Sequence, residues 1–249
     1  MFPIQPIPGF ADPVSSATHL AAAIYFAILT IRLVRSGRIH GGRLGTLLIF
    51  AVAVVLMFTM SGIYHLLDRG TEARVVLQRL DHASIFVLIA ASFTAPHGIL
   101  FRGLMRWGII ALVWTIAAVA IPLKTIYFDE MSERAGLVCY LGFGWIGLFS
   151  GLAVRHHFGT RFMAPLLWGA LAYTGGAVVD YARWPNPIPG AVHAHELFHL
   201  CVIAGVAFHW HFCAHVVTSE RVTPMDLDEA LTEIGQTFAE VASVGTSAK

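Results

Sequence analysis

The sequence predicts an all-α membrane protein, a seven-transmembrane-helix bundle with a short amphipathic C-terminal helix, and three observations carry that prediction. Charged residues make up 12% of the 249 residues, about half the share usual in soluble domains, while 57% are hydrophobic. The apolar residues are gathered into runs close to the roughly 20 residues that cross a ~30 Å hydrocarbon core as a helix. Between the runs lie short polar connections holding arginine, glycine and proline.

In chain order, the runs predict helices at 16–35, 44–67, 80–101, 106–123, 135–154, 163–181 and 193–217. The segment before the first, residues 1–15, contains proline and neither lysine nor arginine. It is a poor match to a cleaved signal peptide, so the first run is expected to stay as a span. The connections at 35–43, 68–79, 102–106, 124–134, 155–161 and 183–190 are short, which makes consecutive helices antiparallel neighbours. The last reads RWPNPIPG, and its three prolines exclude a helix interior. Glycines inside the runs (Gly142, Gly144, Gly147, Gly151, Gly175, Gly176) suit close helix contact, because lipid gives helices no hydrophobic reason to associate. Residues 16–217 therefore form the transmembrane domain, and residues 218–249 a tail.

In the tail, Thr223 is placed to cap a helix and Pro224 to fill its first turn. Leu227, Leu231, Ile234, Phe238 and Val241 recur at helical spacing, with Asp228, Glu229, Glu233 and Glu240 opposite. Such a helix is expected to dock on the bundle or on another copy, giving a homo-oligomer. The net charge of +1 and the lack of a polybasic block give no sign of a nucleic-acid partner. Cys139, Cys201 and Cys213 lie in apolar runs and read as small buried hydrophobes.

Ionisable residues inside membrane spans are costly and mark function by default. Ser61 and His65 end the second helix, Asp81 and His82 open the third, Asp180 ends the sixth, and His193, His195, Glu196 and His199 open the seventh. All fall at one face of the membrane. His195 and His199 are four residues apart, so their imidazoles share a helical face and offer two ligands to one ion. His65 is the expected third. Three imidazoles with an open fourth position make a catalytic-type zinc site. Ser61, one turn from His65, can donate to a developing oxyanion. Asp81 can serve as general base or hold a ligand imidazole.

Bland readings compete residue by residue. For His19, His40, His97, His156 and His157 a hydrogen bond to a neighbouring carbonyl is the expected role. His211 and His215 repeat the four-residue spacing at the other end of the seventh helix, turned away from His195, and are expected to stay outside the site. Residues 195–199 also satisfy H-E-x-x-H, where Glu196 would be the base of a metalloprotease. That reading leaves Ser61, His65 and Asp81 without a role.

With Ser61/His65, the Leu-Asp-His of 80–82 and the His-Glu-Leu-Phe-His of 195–199 in place, the chain resembles the hemolysin III family, the bacterial branch of the adiponectin and progestin receptor superfamily. The stretches RLDHASIFVLIAASFTAP and RWPNPIPGAVHAHELFHL carry the likeness. The resemblance implies zinc on His65, His195 and His199, with Asp81 and Ser61 beside it. It also implies kinship with membrane hydrolases that cleave lipid amides, ceramide among them, so membrane lipids are the expected substrate and a bacterial plasma membrane the expected location. The rival class is non-enzymatic: a permeability or signalling protein whose zinc ties helices together. Nine lysines and arginines on the far face (Arg32, Arg35, Arg38, Arg43, Arg102, Arg106, Arg155, Arg161, Arg221) oppose six on the N-terminal face. That bias favours an outside N-terminus, whereas the resemblance implies an inside one, and we give the resemblance the greater weight.

Overall fold

The computed structural model describes residues 4–220 and 222–246, and for 240–246 only the course of the helix. Arg221 and the side chains of Glu240 and Val241, used above, lie outside the described residues. The described helices are α1 (Pro13–Arg35), α2 (Arg43–Leu66), α3 (Glu72–Leu100), α4 (Gly103–Ile126), α5 (Glu133–Trp145), α6 (Gly147–Phe158), α7 (Thr160–Ala182), α8 (Ala194–Thr218) and α9 (Leu227–Thr246). Counting α5 and α6 as one crossing, seven segments are long and apolar enough to span a membrane.

α3 is the axis of the bundle. Its span is 72% buried, against 17–22% for α4, the α5–α6 crossing and α7. Small residues at its buried positions, Ala83, Ala90, Ala91 and Ala95, let α2, α4, α5 and α8 close around it. Phe26, Phe50, Phe58, Phe101 and Phe212 fill the core. Ile24, Val52, Val119 and Trp168 stay exposed on the outer faces, as expected where the solvent is lipid.

Three boundaries differ from the sequence prediction. α1 starts at Pro13, so the turn holding Ser15 and Ser16 is helical and buried. α3 starts at Glu72, two turns earlier than expected, because the Thr71 hydroxyl accepts the Arg74 N–H as a cap and the residues that follow are good helix formers. The fifth crossing is interrupted at Ile146. There Gly147 lies against α3 so closely that a Cβ would sit 3.2 Å from the Phe93 ring. Gly176 is tighter still, with 2.6 Å to Cys201 across the α7–α8 contact. Gly142, Gly144, Gly151 and Gly175 meet no neighbour, so their expected role in helix contact does not hold.

The tail docks on its own chain. Leu100 and Arg102 pair by backbone hydrogen bonds with Met225, and α9 then runs against α6 and α4. Its cap is Asp226, which exchanges hydrogen bonds with Glu229, rather than Thr223. Ala230, Ile234 and Thr237 turn inward, while Leu231 and Phe238 remain exposed.

Candidate metal centre

The first turn of α1, the last turn of α2 and the first turns of α8 converge at one end of the bundle. His65, His195 and His199 each bring one ligand nitrogen, and these atoms all lie within 4.8 Å of one another. The rings of His65 and His199 are 4.8 Å apart between centroids, and those of His195 and His199 4.5 Å. His65 and His199 are buried, whereas the His195 side chain is 45% exposed.

Two carboxylates orient two of these rings. Asp12 Oδ2 accepts from His65 Nδ1 at 3.1 Å, and Asp180 Oδ1 from His195 Nδ1 at 3.1 Å. A carboxylate can only accept, so each proton sits on Nδ1 and each Nε2 presents its lone pair to the centre. His65 Nε2 and His199 Nδ1 are buried without a partner. A buried polar atom left unpaired costs about 1–3 kcal/mol. Unpaired buried nitrogens within this three-imidazole cluster therefore fit a metal ion.

Asp12 is itself clamped. Arg69 donates to Oδ1 at 2.6 Å, and Arg74 donates to Oδ2 and to the Leu67 carbonyl while lying over the Tyr64 ring. Burial opposes charge on this carboxylate, but the hydrogen bonds from His65, Arg74 and Arg69 outweigh it and hold Asp12 below the ordinary carboxylate range.

Ser61 and Asp81 are buried next to one another, and Asp81 is near enough to His195 for their charges to interact. His82 is not in the three-histidine group: it donates to the Gln78 carbonyl and meets Phe128 edge to face. Glu196 is fully engaged. The Ser15 hydroxyl donates to Oε1 at 2.9 Å and the His193 backbone N–H to Oε2 at 2.9 Å, forming a capping box at the start of α8.

Of the histidines given a bland reading, His97 behaves as expected, donating to the Phe93 carbonyl at 3.0 Å. His156 and His157 instead meet Glu233 of α9. His40 sits in the first connection with its backbone N–H on Val217. His19 departs furthest. Its ring stacks on His199 at 3.9 Å, it is 2% exposed, and neither ring nitrogen has a well-formed hydrogen bond. Asp12, Ser15 and His19 thus form one face of α1 that serves His65, Glu196 and His199 in turn. Their spacing of three and four residues, which puts them on one helical face, was the available signal.

Residues 10–210 match the family described as Haemolysin-III related. The chain belongs to that family. Hemolysin-3 of Bacillus cereus is 28% identical over 193 residues, covering 75% of this chain and 84% of the relative. The hemolysin-3 homolog of Bacillus subtilis (strain 168) is 24% identical over 64% of this chain and 71% of its own length. The heptahelical transmembrane protein ADIPOR1 of Oryza sativa subsp. japonica is 28% identical over 65% of this chain and 47% of that longer protein. These likenesses place the haemolysin-III related chain within the adiponectin and progestin receptor superfamily. The matched region contains His65, Asp81, His195 and His199 and stops before the end of α8.

Proposed function

We propose that this protein is a zinc-dependent hydrolase of a lipid amide or ester, acting in the plasma membrane of a bacterium. The observation that carries the reading is the set of three converging imidazoles, two of them aimed by carboxylates, with Asp81 and Ser61 buried beside them. Nitrogen donors in this number suit zinc over magnesium or calcium, which take oxygen. A bound zinc ion would supply Lewis acidity and an activated water at neutral pH.

The chain's own residues would do the rest. Asp81 takes a proton from the attacking water and returns it to the leaving nitrogen or oxygen. Water's oxygen bonds to the carbonyl carbon, the carbon–nitrogen bond of an amide or the acyl carbon–oxygen bond of an ester breaks, and a fatty acid leaves with an amine or an alcohol. Ser61 donates its hydroxyl hydrogen to the oxygen that gains charge on the way. Asp12 and Asp180 keep His65 and His195 in the tautomer with Nε2 free. The partly exposed His195 is the open side of the site, and the apolar bundle around it suits a lipid substrate.

The metalloprotease reading is disfavoured because Glu196, its required base, spends both oxygens on Ser15 and His193. The non-enzymatic reading, with metal as a tie, is supported by the ligands' origin on α2 and α8. One experiment separates the two. Purified metal-loaded protein is incubated with ceramide and other N-acyl and ester lipids, and released fatty acid is measured. Wild type is expected to release fatty acid, and Asp81→Ala to lose that activity while keeping its metal. No release from any lipid by metal-loaded wild type would sink the hydrolase and favour the tie.

A further inference from the structure

At the opposite end of the bundle, α7 begins and α8 ends around a hollow of about 220 Å³ lined by Arg161, Phe162, Pro165, His211, Phe212 and His215. The hollow joins one cation and two imidazoles on an apolar floor, with no carboxylate among the described residues that line it. Among the described residues, the side chains of Arg161 and His211 have no hydrogen bond, ion pair or ring contact, and the His215 ring meets only the edge of Phe162 at 5.6 Å. Four other arginines on this face are engaged within the chain, Arg43 on the carbonyls of Val216 and Ser219, Arg102 on Asp226 and Glu229, Arg106 on the Phe101 carbonyl, and Arg155 on Thr160, while the side chains of Arg32, Arg35 and Arg38 have no partner among the described residues. Arg161 differs in facing a hollow shared with two other unsatisfied donors.

Depth makes the contrast sharper. α8 has 25 residues, a length of roughly 37 Å at 1.5 Å per residue. That exceeds the ~30 Å hydrocarbon core, so its last turn reaches the headgroup layer. His215 lies near that layer, and His211 one turn further in. Both are exposed on the outer side of the bundle. An imidazole at the hydrocarbon boundary is unfavourable unless a polar group meets it.

We propose that this hollow binds the phosphate group of an anionic membrane lipid. The guanidinium fork of Arg161 matches phosphate oxygens in pairs. His211 and His215 each donate one N–H from the adjacent helix. Phe162, Pro165 and Phe212 take the glycerol end of the acyl chains. The i, i+4 histidine pair that the metal centre leaves unused thus has a ligand of its own, and the site is independent of any hydrolase activity.

The test is lipid retention by the full chain in detergent, read by native mass spectrometry. Phosphatidylglycerol, phosphatidylcholine with the same acyl chains, and inorganic phosphate are supplied in separate arms. Wild type is expected to retain phosphatidylglycerol over phosphatidylcholine, and Arg161→Gln to weaken that retention about tenfold, the size of a lost charge-assisted pair. Arg161→Lys should retain an intermediate share, and Arg38→Gln, an exposed arginine on the same face, should change nothing. Unaltered metal content in each variant checks the fold. Equal retention of both lipids, or full retention by Arg161→Gln, would overturn the site. Displacement of bound lipid by millimolar inorganic phosphate would overturn the lipid assignment.

Discussion

Two histidine pairs on α8 share one spacing and have different surroundings. His195 and His199 meet a third imidazole, a stacked His19, and the Asp180 carboxylate on the neighbouring helix. His211 and His215 meet an arginine and aromatic rings, with no carboxylate among the described residues of the lining. Spacing alone offers two nitrogens on one helical face. What separates a metal centre from an anion site is the sign of the next layer. Carboxylates strip the N–H of competing roles and leave lone pairs facing inward. A guanidinium, which can only donate, instead favours an anion that also accepts the imidazole N–H groups beside it.

The comparison breaks most readily through the metal. The His195→Ala/His199→Ala double variant should fall from about one bound metal per chain to nearly none. The His211→Ala/His215→Ala variant should keep its metal, and elemental analysis of the purified proteins reads both. Loss of metal from the second variant would mean that spacing, not surroundings, decides.

The next effect tests the surrounding layer directly. Asp12→Asn and Asp180→Asn each remove an orienting charge without removing a ligand. Metal affinity should fall by about 10–100-fold in each, measured by competition with a chelator. Asp12→Asn should be the more disruptive, since it also leaves Arg69 and Arg74 without their carboxylate.

Within the site, Ser61→Ala should lower the rate of lipid hydrolysis by about 10²–10³, the cost of one oxyanion donor, while metal content holds. Glu196→Gln should have the smallest effect, because the amide oxygen still accepts the His193 N–H while the amide NH2 donates to a re-oriented Ser15 hydroxyl. Activity within a few-fold of wild type is expected, and its abolition with metal retained would revive the metalloprotease. Orientation is checked with a reporter after Lys249. An N-terminus inside puts seven crossings between it and the tail, so a reporter active only outside the cytoplasm should be on. If only a cytoplasm-active reporter works, the arginine excess on the far face decides orientation.

Much of this arrangement was legible in the sequence because membrane spans announce themselves by length and apolarity. Polar residues within spans are rare enough that His65, Asp81, His195 and His199 stood out without a structure. What stayed hidden lay at the ends of helices. Thr71 and Glu72 look like loop until the cap and the following helix formers are taken together. Asp12 fell in the proline-bearing N-terminal segment ahead of the first expected span, although Pro13 after it is a common helix start. His19 was set aside because a lone histidine has a bland explanation, and only packing brings its ring onto His199. The tail helix was foreseen, but its facing only in part: of the apolar positions that the spacing selected, Ile234 docks, beside Ala230 and Thr237, whereas Leu231 and Phe238 stay exposed.

The order in which the ligands are made adds a consequence of its own. Asp12, His65, Arg69 and Arg74 all lie in the first 74 residues, so the clamp on His65 can close once α1, α2 and the start of α3 are inserted. His195 follows His65 by 130 residues (195 minus 65). At ~5–20 residues per second of synthesis, the half-built centre waits on the order of ten seconds. The second and third nitrogens cannot arrive before α8 has entered beside α1 and α2. A captured metal ion therefore reports that the last crossing is in place, and ribosome-bound chains stalled before residue 194 should carry the Asp12–His65 pair and no metal.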